Sequence, residues 1–233
     1  MQAVILAAGK GTRMFPLTKD KPKILIEING KPFLYYVLEN LKKAGITELA
    51  IVVNYHKEKI EEYIRAHKLK ITIITQPEAK GTGDALRQAK YFCGREDFIV
   101  MNGDNLYSVE DLKTVQKKDE LCYIVGKEME EWQKYGVLVT TKDQYLVKII
   151  EKPKEFVGKM INVGLYKCTS DIWRAVENIG LSPRGEYELT DAIGLLAKEH
   201  KVKVLRLQNY WLDLGCKEDI LTIEKFLRGL KSS

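Results

Sequence analysis

The chain has 233 residues, 45% hydrophobic and 30% charged, with 38 Lys and Arg against 32 Asp and Glu for a net charge of +6. That apolar content can offset the ordering entropy of a core and excludes a disordered chain, and 17 glycines without a three-residue period exclude a collagen-like one. Basic residues interleave with acidic ones, as in Glu58-Lys59 and Lys117-Lys118-Asp119-Glu120, which reads as solvated helix faces rather than a nucleic-acid groove.

Ala3–Leu6 opens the chain as a continuous apolar strand. The run Ala3–Ala8 falls far short of the roughly 20 residues of a membrane helix and of a signal peptide's apolar core. A soluble, cytoplasmic protein is therefore expected. Leu34, Val37, Leu38 and Leu41 mark one face of a helix that stops at Gly45. Leu49–Val53 reads as a strand, Ile60–Ile64 as helix, Ile71–Ile74 as a strand, Ala85–Phe92 as one helix and Phe98–Met101 as a strand. Uninterrupted apolar strands separated by amphipathic helices predict a parallel sheet covered on both faces.

From about Asp119 the rhythm becomes β-rich, with strands at Cys122–Val125, Val137–Thr140, Leu146–Ile150 and Met160–Tyr166, and Lys142-Asp143-Gln144 as a turn. Helices return at Ser170–Asn178 and Leu189–His200, and a last one carries the stripe Ile220, Ile223, Leu227 and Leu230. No Pro/Ser-rich linker divides the chain. The expected fold is α/β, a Rossmann-like open mixed sheet, mostly parallel, with helices on both faces and a β-rich half. It is expected as a single domain, 1–233, with halves at about 1–118 and 119–233. Cys93, Cys122, Cys168 and Cys216 form no C-x-x-C pair, which favours reduced thiols over disulfides or a zinc site.

The segment Leu6–Met14 places a glycine-rich loop after the first strand, where an open α/β sheet binds phosphates. Met14 occupies the position of the dinucleotide fingerprint's third glycine, and Gly9 and Gly11 lack the spacing of a Walker loop. Alone, the loop fits a tight strand exit as well as a phosphate site; the cations Lys10, Arg13 and Lys23 shift it towards an anion. Asp104 follows the strand Phe98–Met101, although Asn102-Gly103-Asp104 is also an ordinary turn sequence. Asp213 ends the run Tyr210-Trp211-Leu212, where a carboxylate wants a cation. Glu151-Lys152-Pro153 reads as a strand end or a surface ion pair, and Asn162 in an apolar run needs a buried partner or a ligand. Glu188, Thr190 and Asp191 read as a helix start with capping.

The motifs then run in one order: Leu6–Met14, Pro16-Leu17-Thr18, Pro22-Lys23-Ile24-Leu25, Gln76 with Lys80–Ala85, Gly103-Asp104, Tyr135-Gly136-Val137, Glu151-Lys152-Pro153, Asn162–Tyr166, Gly185–Ile193 and Trp211–Gly215. In this the chain resembles the sugar-1-phosphate nucleotidylyltransferases over nearly its whole length. The resemblance implies transfer from a nucleoside triphosphate, UTP or dTTP, to a sugar 1-phosphate, giving a nucleotide-sugar and pyrophosphate. It implies nucleotide binding by Ala8, Gly9, Gly11, Thr12, Gln76, Gly81 and Thr82, and Mg²⁺ binding by Asp104 and Asp213. Arg13 would neutralise the departing pyrophosphate, Lys23 would face the α-phosphate, and Lys152 would hold the sugar phosphate. Gly136, Glu151 and Asn162 would contact the sugar. The base stays open between uracil, thymine and cytosine, because a glutamine amide can turn over. Alternatives are a cytidylyltransferase for a polyol or choline phosphate, or a non-catalytic nucleotide-sugar sensor. Cys216-Lys217 departs from the family's Thr-Pro and puts the local turn in doubt. A homo-oligomer, a dimer or tetramer, is expected, with Phe226, off the last helix's stripe, and exposed parts of the β-rich half as the contact surface.

Overall fold

β1 (Gln2–Ala7) is the central strand of the computed structural model, which describes residues 1–231. Its alternation divides the core: Ala3 and Ile5 enter one apolar cluster, and Val4 and Leu6 the other. Both faces are therefore covered, which is why the strand reads as unbroken apolar sequence. A short hairpin follows, β2 (Glu27–Ile28) with β3 (Lys31–Pro32), turning through Asn29-Gly30 at φ 49° and 75°. Then come α1 (Phe33–Lys43), β4 (Glu48–Val53), α2 (Lys57–Ala66) and β5 (Ile71–Thr75).

The helix predicted over Ala85–Phe92 is two helices, α3 (Thr82–Gln88) and α4 (Lys90–Cys93). They part at Ala89, whose N–H donates to Leu86 O in a tightened turn instead of continuing the α ladder. β6 (Phe98–Asn102), β7 (Asn105–Tyr107) and α5 (Val109–Thr114) follow. Ser108 caps α5 by accepting the Asp111 N–H. The β-rich half supplies β8 (Cys122–Glu128), β9 (Gly136–Thr140), β10 (Leu146–Glu151) and β11 (Met160–Cys168). The chain ends with α6 (Asp171–Glu177), α7 (Leu189–Lys198), β12 (Val202–Arg206), β13 (Trp211–Asp213) and α8 (Glu218–Lys231).

One nine-stranded sheet runs β10-β9-β11-β6-β1-β4-β5, with β8 beside β11 and β12 beside β8. β6, β1, β4 and β5 are parallel, and β11 joins antiparallel to β6, so the β-rich half extends the same sheet. From β1 the chain builds outward to β5 on one side and then returns to place β6 on the other. That switch point lies between β1 and β6, and in open α/β sheets the ligand crevice forms at such a point, beyond the strands' carboxyl ends. α1, α2, α5 and α8 cover one face, and α3, α6 and α7 the other.

α8 buries Ile223 and Leu227, but Leu230 is exposed. Phe226 does not stand free as the sequence suggested: it packs on the core and meets the Tyr210 ring edge-on at 4.9 Å. Among the described residues no helix is long and apolar enough to cross a membrane.

Candidate active site

A cleft of roughly 640 Å³ opens at the switch point. Ala8, Gly9, Gly11, Thr12, Arg13, Lys23, Gln76, Gly81, Thr82 and Asp104 all line it, so the sequence-predicted nucleotide residues converge there. Lys10 lines it too, which brings three cations to the cleft: Lys10 and Arg13 from the loop after β1, and Lys23 from the separate turn Lys23–Leu25. Met14, in the slot of the missing third glycine, is fully buried and anchors the short 3-10 turn Thr12–Met14 that carries Arg13. The loop is closed on itself by Thr18 Oγ1, which donates to Gly11 O at 2.8 Å.

The opposite wall is the loop before α3. Gly81 adopts φ 101°, and a Cβ there would stand 2.5 Å from Tyr187 O, so only glycine fits. That closeness follows from two backbone bonds, Tyr187 N–H to Lys80 O and Gly83 N–H to Tyr187 O, both 2.8 Å. The expected side-chain cap at the start of α7 is replaced by a longer-range one: Thr82 Oγ1 accepts the Leu189 N–H at 3.0 Å. Glu188 instead pairs with Arg184 at 2.9 Å.

Asp104 sits just past β6, where the Gly103 N–H donates to Leu6 O at 2.8 Å and ties this turn to β1. Its Oδ2 meets Lys23 Nζ at 2.7 Å, and its Oδ1 accepts from Asn105 Nδ2 at 2.8 Å. Asp213 ends β13 opposite Asn105 of β7, and the Leu214 N–H donates to Asp104 O at 2.9 Å. Trp211 Nε1 donates to Asn105 Oδ1 and locks the two short strands. The chain entering β13 is pinned by Asp111, whose carboxylate accepts the Gln208 and Asn209 N–H groups at 2.9 and 3.0 Å.

Burial and the neighbouring Asp104 charge raise the Asp213 carboxyl to about 6, with Lys23 and Arg13 pulling the other way. Asp104 lines the cleft and Asp213 lies just behind the lining residue Gly215; two such crowded carboxylates suit Mg²⁺, a hard cation that takes one or two carboxylates plus substrate oxygens. Among the described residues no group of three His, Cys, Asp or Glu could hold a metal ion, so a cation here needs oxygens from substrate or water. The Cys216-Lys217 departure does not disturb Asp213, because the Cys216 N–H donates to Asp219 Oδ2 at 2.7 Å and closes the turn into α8.

The residues predicted for the sugar phosphate do not line this cleft. Gly136 and Glu151 are directly paired across β9 and β10, and a Cβ on Gly136 would come within 2.8 Å of Glu151 Oε1. Partial desolvation raises the Glu151 carboxyl; Arg184 opposes the shift and Glu188 adds to it. Lys152 leaves the ladder at φ 43°, an uncommon conformation for a residue with a side chain, while its N–H donates to Tyr135 O at 3.0 Å. Asn162 satisfies its amide within the chain, donating to Tyr166 Oη at 2.7 Å and accepting the Gly164 N–H at 2.9 Å. Its polarity in an apolar run therefore does not by itself call for a ligand. The Arg184–Glu188 segment connects the two regions, since Glu186 lines the cleft.

Sequence reasoning missed Asn102 and Glu186, both of which line the cleft, and Asp84, which bonds the Gln76 amide. Asn102 was legible as the one polar residue closing an apolar strand. Glu186 lay within the Gly185–Ile193 motif, which the sequence marked as architecture rather than as a site.

The nucleotidyl transferase family model matches residues 2–229. The chain is 38% identical over 229 residues to the bifunctional sugar-1-phosphate nucleotidylyltransferase/acetyltransferase of Sulfurisphaera tokodaii, a match covering 97% of this chain and 55% of that one. It thus spans about half the length of the curated bifunctional relatives it matches. It is 37% identical over 227 residues to the UTP–glucose-1-phosphate uridylyltransferase AglF of Haloferax volcanii, covering 94% of this chain and 93% of that one. A UDP-glucose pyrophosphorylase solved with UDP-glucose superposes with a TM-score of 0.87 at 24% identity, over 98% of each chain, a likeness of fold.

Proposed function

The chain belongs to the nucleotidyl transferase family, and from that premise we propose that it joins a nucleoside triphosphate, UTP or dTTP, to a sugar 1-phosphate, releasing pyrophosphate. The observation that carries this reading is the convergence of Arg13, Lys23 and Asp104 on the cleft at the β1–β6 switch point. In this reading residues 1–118 form the nucleotide half and 119–233 the sugar-phosphate half.

The nucleophile is a phosphate oxygen of the sugar 1-phosphate, attacking the α-phosphorus in line as pyrophosphate leaves. A phosphate monoester has its second pKa near ~6 and is already largely dianionic at neutral pH, so no protein base has to remove a proton. None of the three histidines, His56, His67 and His200, lines the cleft. The barrier lies in bringing two polyanions together, which is a matter of positioning and charge. Arg13 binds the β- and γ-phosphates and neutralises the leaving group. Lys23 stabilises charge at the α-phosphate, and Lys152 holds the nucleophile. Asp104 and Asp213 would hold Mg²⁺, which supplies further charge compensation on the triphosphate. Ala8, Gly9, Gly11, Thr12, Gln76, Gly81 and Thr82 seat the nucleotide, and Gly136, Glu151 and Asn162 the sugar.

Four free cysteines support a reducing, cytoplasmic setting. Exposed Leu181 and Leu221 offer apolar surface for a homo-oligomer, for which light scattering is the test; a lone mass of 26.7 kDa overturns it. The reaction is tested by crossing UTP, dTTP and CTP with a panel of sugar 1-phosphates and reading pyrophosphate release. No release above background with any pair would end the proposal.

A further inference from the structure

Gln76 is held at every polar atom but one. Its residue is 1% exposed; its N–H donates to Val53 O at 2.8 Å, and its C=O accepts from Asn54 Nδ2 at 2.7 Å. The side-chain Nε2 has two hydrogens and two partners, Asp84 Oδ2 at 2.8 Å and Gly81 O at 3.1 Å. Both partners are acceptors, so turning the amide over would set its oxygen against two other oxygens. The usual ambiguity of a glutamine amide is thereby removed by its surroundings rather than by assignment.

The lock is itself held. Asp84 is buried in the first turn of α3, with Arg87 Nη1 3.7 Å from its Oδ1. Arg87 is anchored in turn by donating to Val176 O at 2.6 Å. Gly81 O also accepts the Ala85 N–H at 3.0 Å, which fixes it to the start of the helix. What is left is Gln76 Oε1, which accepts no hydrogen bond among the described residues, on a side chain that lines the cleft with Ala8 and Gly9.

We propose that Asp84 is a specificity-determining positioning residue, which holds Gln76 as an acceptor so that the base site selects a pyrimidine bearing a ring N–H. Uracil and thymine carry a hydrogen on N3. Cytosine carries a lone pair there, and would face Oε1 acceptor to acceptor. Burying two acceptors against each other costs the full desolvation of both, so a site built this way rejects the wrong base by much more than a lost contact. The inference rests on the proposed nucleotidylyl transfer for its kinetic arm only; its binding arm needs no turnover.

The experiment compares wild-type and Asp84→Asn in two ways: equilibrium dialysis with labelled UTP and CTP, and kcat/KM for both nucleotides with glucose 1-phosphate and N-acetylglucosamine 1-phosphate. Wild-type is expected to prefer UTP by at least about tenfold, and Asp84→Asn to narrow the UTP:CTP ratio by about tenfold, leaving the KM for sugar phosphate unchanged. A melting curve checks that the variant is folded; if it is not, Asp84→Ser is the second variant, with the same expected narrowing. A merely structural role for Asp84 would lower both nucleotides in proportion, and that result overturns the inference, as does equal binding of UTP and CTP by wild-type. Preferential UTP binding with no product from any sugar phosphate would refute the proposed reaction and leave the inference standing.

Discussion

Lys23 Nζ lies 2.7 Å from Asp104 Oδ2, so the cation assigned to the α-phosphate rests on a carboxylate assigned to the metal. The pair is mostly shielded from water, where an ion pair is felt more strongly than at the surface. It neutralises one of two crowded carboxylates. In the proposed reaction Asp104 would help hold Mg²⁺, and Lys23 would face the α-phosphate. The same lysine would thus both steady the carboxylate and face the triphosphate.

That dual use predicts the behaviour of Lys23→Ala. Removing a preorganised charge from a developing anion typically costs about 10²–10³ in turnover, and a loss of about that size in kcat is expected here. Steady-state pyrophosphate release measures it. A kcat within a few-fold of wild-type would mean that Lys23 only holds Asp104.

The carboxylates make a second prediction. Asp104→Asn and Asp213→Asn should each cut turnover by at least about 10², and a chelator should silence wild-type in a way that added Mg²⁺ restores. Near-normal turnover in the double variant, or activity that ignores chelation, would overturn the two-carboxylate assignment.

Much of this was legible in the sequence, for identifiable reasons. β1, β4 and β6 read directly because strands covered on both faces must be apolar throughout. The glycine-rich loop read directly because backbone approach to phosphate demands small residues and leaves cations beside them. β7 and β13 did not read: each is three residues long, and their pairing joins segments about a hundred positions apart, with Trp211 reaching Asn105 across 106 positions. The Ala89 break did not read because its cause is a local turn within good helix-forming sequence. α5 was there to be read, since Ser108-x-x-Asp111 is a helix-start pattern. The Lys23–Asp104 pair and the Asp84 lock on Gln76 could not be read, because each depends on which side chain spends its hydrogens where.

A third prediction separates the two substrates. Arg13 lines the cleft proposed for the nucleotide, whereas Lys152 stands just past the end of β10, outside its lining. Arg13→Ala should therefore raise the KM for the triphosphate, and Lys152→Ala the KM for the sugar 1-phosphate, each by about tenfold for a lost charged hydrogen bond. Initial rates with one substrate varied at a time resolve the split. Equal impairment of both substrates by both variants would show that the roles are not divided.

The last prediction concerns pH and the metal-free fold. Asp213 titrates at about 6 in the folded chain, above the ordinary 3.8, because burial and Asp104 penalise its charge. A raised folded pKa means that the native state holds its proton longer than the unfolded chain does. The resulting stability is complete below the unfolded value and is lost as pH rises through the folded one. Between about pH 4 and pH 6, then, the metal-free protein should lose stability from this group, and at pH 8 the loss should be complete. Asp213→Asn carries no such charge. It should melt higher than wild-type at pH 8, with the advantage shrinking towards pH 4, even as its turnover is lost. Added Mg²⁺ should raise the wild-type melting temperature at pH 8 and erase the variant's advantage. Melting curves across pH 4–8 with chelator or Mg²⁺ decide it: a variant that is less stable than wild-type at pH 8 in chelator would show that Asp213 is a structural support rather than a strained ligand.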